Sequence, residues 1–133
     1  MIEREIARAA HSTALRVPAA TAALGLVRLF AASIGRHVDL PPEVVEDLKL
    51  ALTEVGSAAI EASRSDDDVL TVTLSWPPDP AALEVRLTAS TSFSTRDGSS
   101  DHRARLLDAL RLELRETDDG HGVGFVVPTS SSS

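Results

Sequence analysis

The 133-residue chain has no cysteine, which excludes disulfides, thiol chemistry and cysteine-ligated zinc. Tyrosine is absent too, and aromatics make up only 3%, so the base-stacking platforms of a nucleic-acid binder are missing. Lysine occurs once, at Lys49, and the net charge is -7. An acidic chain repels a phosphate backbone, and no nucleic-acid partner is expected. A clean apolar run is also lacking. The longest stretch, residues 17–34, is interrupted by Thr21, Arg28 and Ser33, so no membrane span is expected. The first six residues lack the basic start and apolar core of a secretory signal, and the expected location is the cytoplasm. What is present is an ordinary globular mix, 43% hydrophobic and 25% charged, over a length that suits one domain.

The pattern along the chain divides it into an N-terminal extension at 1–12, a domain at 13–128 and a polar tail at 129–133. In the extension, Ile2 and Ile6 are spaced for a short helix, although a frayed terminus fits equally. Residues 12–18 read as extended, with Leu15 and Val17 alternating with Arg16 before Pro18. Residues 19–36 are helical in period but apolar nearly all round. Such a helix is buried on more than one side, and one side is expected to meet a partner or second subunit. Asp39-Leu40-Pro41-Pro42-Glu43 marks a helix start. In the helix at 41–63, Val44, Leu48, Ala51, Leu52, Val55, Ala59 and Ala62 form one stripe.

Two alternating segments at 69–76 and 81–89 predict an antiparallel hairpin with one wet face. Residues 90–100 read as a loop with Phe93 its one apolar anchor, and raised mobility is expected there. A short helix is predicted at 101–110. Residues 111–117 and 122–127 predict a second hairpin turning at Asp119-Gly120. The order predicts an α+β two-layer sandwich, a mostly antiparallel sheet covered on one face by helices.

Glu54 is the sharpest candidate for chemistry. It lies beside the apolar stripe of its helix, with Asp47 and Glu61 one heptad away on either side. A carboxylate there could act as a base, or be a solvated flank residue. The four histidines, His11, His37, His102 and His121, lack i+3 or i+4 partners and read as surface residues, so no metal site is expected. Gly120-His121-Gly122-Val123-Gly124 reads as hairpin, since no helix follows to bind a phosphate. Arg103, Arg105, Arg111 and Arg115 form a basic cluster, read as a solvated face or an anion-holding one.

Leu15-Arg16-Val17-Pro18-Ala19, the helix around Arg28 and Leu50-Ala51-Leu52-Thr53-Glu54-Val55 together resemble the anti-sigma factor serine kinases of the GHKL ATPase superfamily. The resemblance spans roughly residues 13–127. It implies a helix glutamate serving as base or water-positioner, matched by Glu54. It implies an asparagine four residues on, holding Mg²⁺ on the nucleotide, where this sequence has Ala58. A methyl group cannot ligate Mg²⁺. It further implies an adenine-binding aspartate, placed at Thr88 when the sequences are aligned on Phe93, with glycines at Ser90 and Ser92. A phosphate-wrapping lid would span 94–105, its second glycine pair falling near His102 and Ala104.

The expectation is therefore a degenerate relative that binds a sigma factor or an anti-sigma antagonist in a partner-switching system. It would have no cofactor and no ATP hydrolysis. The resemblance also implies dimerisation, with itself or with a related kinase, through residues 13–30. Leu15 and Leu24 are the positions expected to face that contact. The alternative is an active ATP-dependent serine kinase with an atypical site, using ATP and Mg²⁺. A third reading is an unrelated α+β interaction domain.

Overall fold

A computed structural model describes residues 11–76, 82–95 and 101–128. The helix expected within residues 1–10, the tail at 129–133 and the second half of the loop at 90–100 lie outside the described residues. Strand β1 (His11–Pro18) begins one residue earlier than the pattern placed it. A 3-10 turn at Thr21–Ala23 leads into α1 (Leu24–His37), and α2 spans Pro42–Ala62. Strands β2 (Val69–Trp76) and β3 (Ala82–Ala89) follow, then helix α3 (Asp101–Ala109). Strands β4 (Arg115–Glu116) and β5 (Gly122–Pro128) complete the order.

The five strands form one sheet in the order β1-β2-β3-β5-β4, every neighbouring pair antiparallel. Register follows the apolar alternation. Leu15 lies opposite Val72, Val72 opposite Leu87, and Leu87 opposite Val123. A second row runs through Leu74, Val85 and Phe125. These side chains share one face because strand residues alternate between faces. Against them α1 and α2 bury Val27, Ala31, Leu48, Leu52, Val55 and Ala59. The fold is the expected α+β sandwich, with the helices on one side of an antiparallel sheet.

The helix ends explain the compact joint between α1 and α2. Asp39 adopts φ 59° after α1. Its N–H donates to the Arg36 carbonyl, and the Leu40 N–H donates to that of Gly35 at 2.8 Å. This is a left-handed helix stop with its usual apolar follower, here the buried Leu40. Asp39 therefore ends one helix and does not cap the next, which starts with Pro41 at the cap and Pro42 in the first turn. The helices then cross closely at Gly56, where an added Cβ would lie 2.8 Å from Leu24 Cδ2.

That contact corrects one expectation. Leu24 is buried in the core and cannot meet a partner, and Leu15 is half-buried. The outward leucines of α1 are Leu26 and Leu29, exposed by 54% and 60%. In α2 the core stripe includes Val45, whereas Val44 and Ala62 sit at its edge.

One carboxylate fastens the turn between α2 and β2. Asp68 Oδ2 accepts from the N–H groups of Arg64 (2.8 Å) and Ser65 (3.1 Å), and from the hydroxyls of Ser63 (2.9 Å) and Thr91 (2.8 Å). These bonds, led by the Arg64 N–H, hold its pKa down from 3.8 to about 2. A carboxylate depressed in the folded state stabilises above its unfolded pKa and loses that contribution as pH falls through the folded value. Melting temperature is therefore expected to fall as pH drops from 3.8 to about 2. Asp68→Asn should flatten that part of the profile. An unchanged acid limb in the variant would show that Asp68 carries none of it.

Candidate functional site

Helix α2 places Glu54, Ala58 and Glu61 on one face, since residues four and seven apart stack along a helix. Glu54 is half-buried and not alone. Arg103, projecting from α3, brings its Nε to 3.7 Å from Glu54 Oε1. The same guanidinium grips the Glu61 carboxylate at both ends, donating Nη1–H to Oε1 at 3.4 Å and Nη2–H to Oε2. Paired parallel bonds of this kind are the stronger form of a charge-assisted contact. Arg103 is 8% exposed and Ala58 is buried between the two carboxylates along the helix. The basic cluster is thus divided: Arg103 is a buried clamp, whereas Arg105, Arg111 and Arg115 are exposed.

Thr88 does not join this face. Leu83, Val85 and Leu87 point into the core, so Thr88 takes the outer face with Glu84 and Arg86. It sits opposite Gly122, where an added Cβ would lie 2.9 Å from Thr88 Cγ2. The inward position is Ala89, packed against the core. The resemblance, aligned on Phe93, gives the adenine-binding aspartate's place to Thr88, and a shift of one residue along the pleat would give it to Ala89. Neither residue supplies a carboxylate there.

The first half of the loop after β3 is held by hydrogen bonds that its composition does not announce. The Ser90 hydroxyl accepts from the Val69 N–H at 2.7 Å. Buried Phe93 donates its N–H to the Gly120 carbonyl at 2.9 Å. Glu116 Oε1 accepts from the Ser94 hydroxyl (3.0 Å) and the Thr95 N–H (3.3 Å). Ser92 stands exposed. His102 and Ala104 are exposed on α3, next to the clamp but outside it.

The remaining candidates are structural. Gly120 has φ 74° in the turn between β4 and β5, and Asp119 Oδ1 accepts from the Thr117 hydroxyl (2.6 Å) and the His121 N–H (2.9 Å). Gly122 and Gly124 lie within β5, so the glycine run is hairpin. His121 Nδ1 is 3.0 Å from the Ala89 carbonyl oxygen. His11 and His37 flank Trp76, with ring centroids 5.5 and 5.8 Å away. Among the described residues no group of three or more histidine, aspartate or glutamate side chains could hold a metal ion. A groove of about 870 Å³ on the outer sheet face is lined by Thr73, Glu84, Arg86, Arg111 and Glu113, on the opposite side from Glu54.

The histidine kinase-like ATPase domain model matches residues 17–127. The chain belongs to that family. A comparison with curated proteins finds no match. Among the described residues of this histidine kinase-like ATPase domain, no helix is long and apolar enough to cross a membrane. The donor set for a metal-bound nucleotide does not fit the face that Glu54 occupies. Position 58 is a methyl, Glu54 faces a guanidinium, and the chain has no asparagine or glutamine at any position to stand in. Sequence reasoning missed the clamp, because Arg103 lies 42 residues from Glu61. The seven-residue spacing of Glu54 and Glu61 on one helix was its only local sign.

Proposed function

We propose that this histidine kinase-like ATPase domain is a degenerate, anti-sigma-factor-kinase-like regulator of the cytoplasm. It acts by binding a sigma factor or an anti-sigma antagonist in a partner-switching system, without ATP, Mg²⁺ or hydrolysis. The observation that carries this reading is the Arg103 clamp on Glu54 and Glu61, with Ala58 between them. A carboxylate engaged by an internal cation is poorly placed to activate a water or a hydroxyl. Partner binding through a surface is supported by the exposed Leu26 and Leu29 on α1 and by the unpaired outer edge of β1 among the described residues. The retained Glu54 supports the second reading, an active serine kinase.

The same surface is proposed to pair the domain with a second copy or a related kinase through residues 13–30. Light scattering at about 100 μM is expected to show a dimer. The double substitution Leu26→Glu and Leu29→Glu places charge in that contact and should yield a monomer. A wild-type monomer defeats the homodimer. The regulatory reading is tested by affinity capture with wild type and the double variant, followed by phosphotransfer assay of the recovered protein. Recovery of a sigma factor or its antagonist by the wild type, without phosphate transfer from ATP, is the expected result. Transfer to a serine of the recovered protein would establish the kinase instead.

A further inference from the structure

Arg103 is the one buried charged residue among the described residues, and it joins two elements with little else between them. Helix α3 has nine residues, and helices this short do not persist in isolation. Its apolar hold is slight. Leu107 is buried and Leu106 half-buried, whereas His102, Ala104, Arg105, Asp108 and Ala109 are exposed. Leu110, just beyond the helix, packs partly against the core. Opposite it, α2 is anchored along its length by Leu48, Leu52, Val55 and Ala59. The two sides of the contact therefore differ in stability, and the weaker side carries the guanidinium.

We infer that α3 is a cover over the Glu54–Ala58–Glu61 face of α2, held shut by an electrostatic latch. The latch is the fork of Arg103 on Glu61, steadied by Glu54. When it is closed, both carboxylates are engaged and Ala58 is covered. When it opens, α3 detaches as a unit while the sheet and the α1–α2 layer stay folded, because Leu107 is the one α3 residue in their buried core, which is otherwise built mainly from the sheet, α1 and α2. The latch also responds to salt. The Glu61 side chain is 63% exposed, so counterions reach it and screen the pair, whereas they leave the apolar seat of Leu107 intact. This holds whether the uncovered face meets a protein or a nucleotide.

Amide hydrogen exchange of the full chain tests the inference, comparing wild type with Glu61→Gln and Arg103→Lys. Glu61→Gln keeps the shape and removes the charge. Its amides at 103–109 are expected to exchange at least tenfold faster, while those of β2, β3 and β5 keep wild-type rates. Arg103→Lys retains the charge without the fork and should fall between the two. Raising salt should speed exchange of 103–109 in the wild type and do so less in Glu61→Gln, which keeps only the Glu54 pair. Wild-type protection of 103–109 in Glu61→Gln would overturn the latch. So would an equal rise across α3 and the three strands, because the pair would then support the whole fold.

Discussion

ATP with Mg²⁺ is expected to give no saturable binding heat in calorimetry up to about 1 mM nucleotide. The proposed loss of nucleotide binding rests on two contacts that the resemblance implies and the residues at those positions do not supply. Position 58 offers a methyl where a metal-binding oxygen is required. Where the resemblance implies an adenine-binding aspartate, the chain has Thr88 on the outer face and Ala89 beside it on the inner one, neither of them a carboxylate. Each unmet polar group costs about 1–3 kcal/mol. Together the losses weaken binding by roughly a hundredfold or more. Arg103 adds a further obstacle, because a cation or donor that binds Glu54 or Glu61 competes with its guanidinium. A micromolar dissociation constant would sink the proposal of a nucleotide-free regulator.

Leu48→Ala should lower stability by about 2–5 kcal/mol, the range for removing a buried leucine that leaves a cavity behind. Leu48 is fully buried between α2 and the rest of the core. For a domain of this size, that loss lowers the melting temperature by on the order of 10 °C. Leu50, two residues along the same helix, is 38% exposed. Leu50→Ala should therefore cost under about 1 kcal/mol. Urea unfolding followed by the fluorescence of Trp76, the single tryptophan, measures both. Equal losses at the two positions would mean that α2 presents a different face to the sheet.

The sheet was legible because its alternation is strict. Leu70, Val72 and Leu74, then Leu83, Val85 and Leu87, announce both the strands and their inner face. Asp119-Gly120 likewise marked a turn that needs a positive φ at glycine. Facing was harder in α1. A helix apolar nearly all round carries few polar marks to fix its rotation, so Leu24 was placed outward although it packs on Gly56. The outward facing of Thr88 was hidden for a related reason: a single aromatic landmark says nothing about which side of a pleat a residue takes. Segment 90–95 looked unanchored because its holding bonds come from Val69, Asp68, Glu116 and Gly120, all distant in sequence. Arg103 reads locally as one of several surface arginines. Only the packing of α3 on α2 turns it inward.

The two margins of the sheet are unequal. At one side lies β1, eight residues long and paired with β2 alone among the described strands. At the other lies β4, two residues long, Arg115 and Glu116, both charged and exposed. A strand can add to the first margin along its whole length, whereas the second offers almost no ladder and opposes association with charge. Filament growth by strand addition requires two sticky margins, one to join and one to be joined. With one such margin, edge-to-edge association among the described strands is isologous and stops at two copies. The brevity of β4 thus leaves β1 as the longer margin open to strand addition among the described strands.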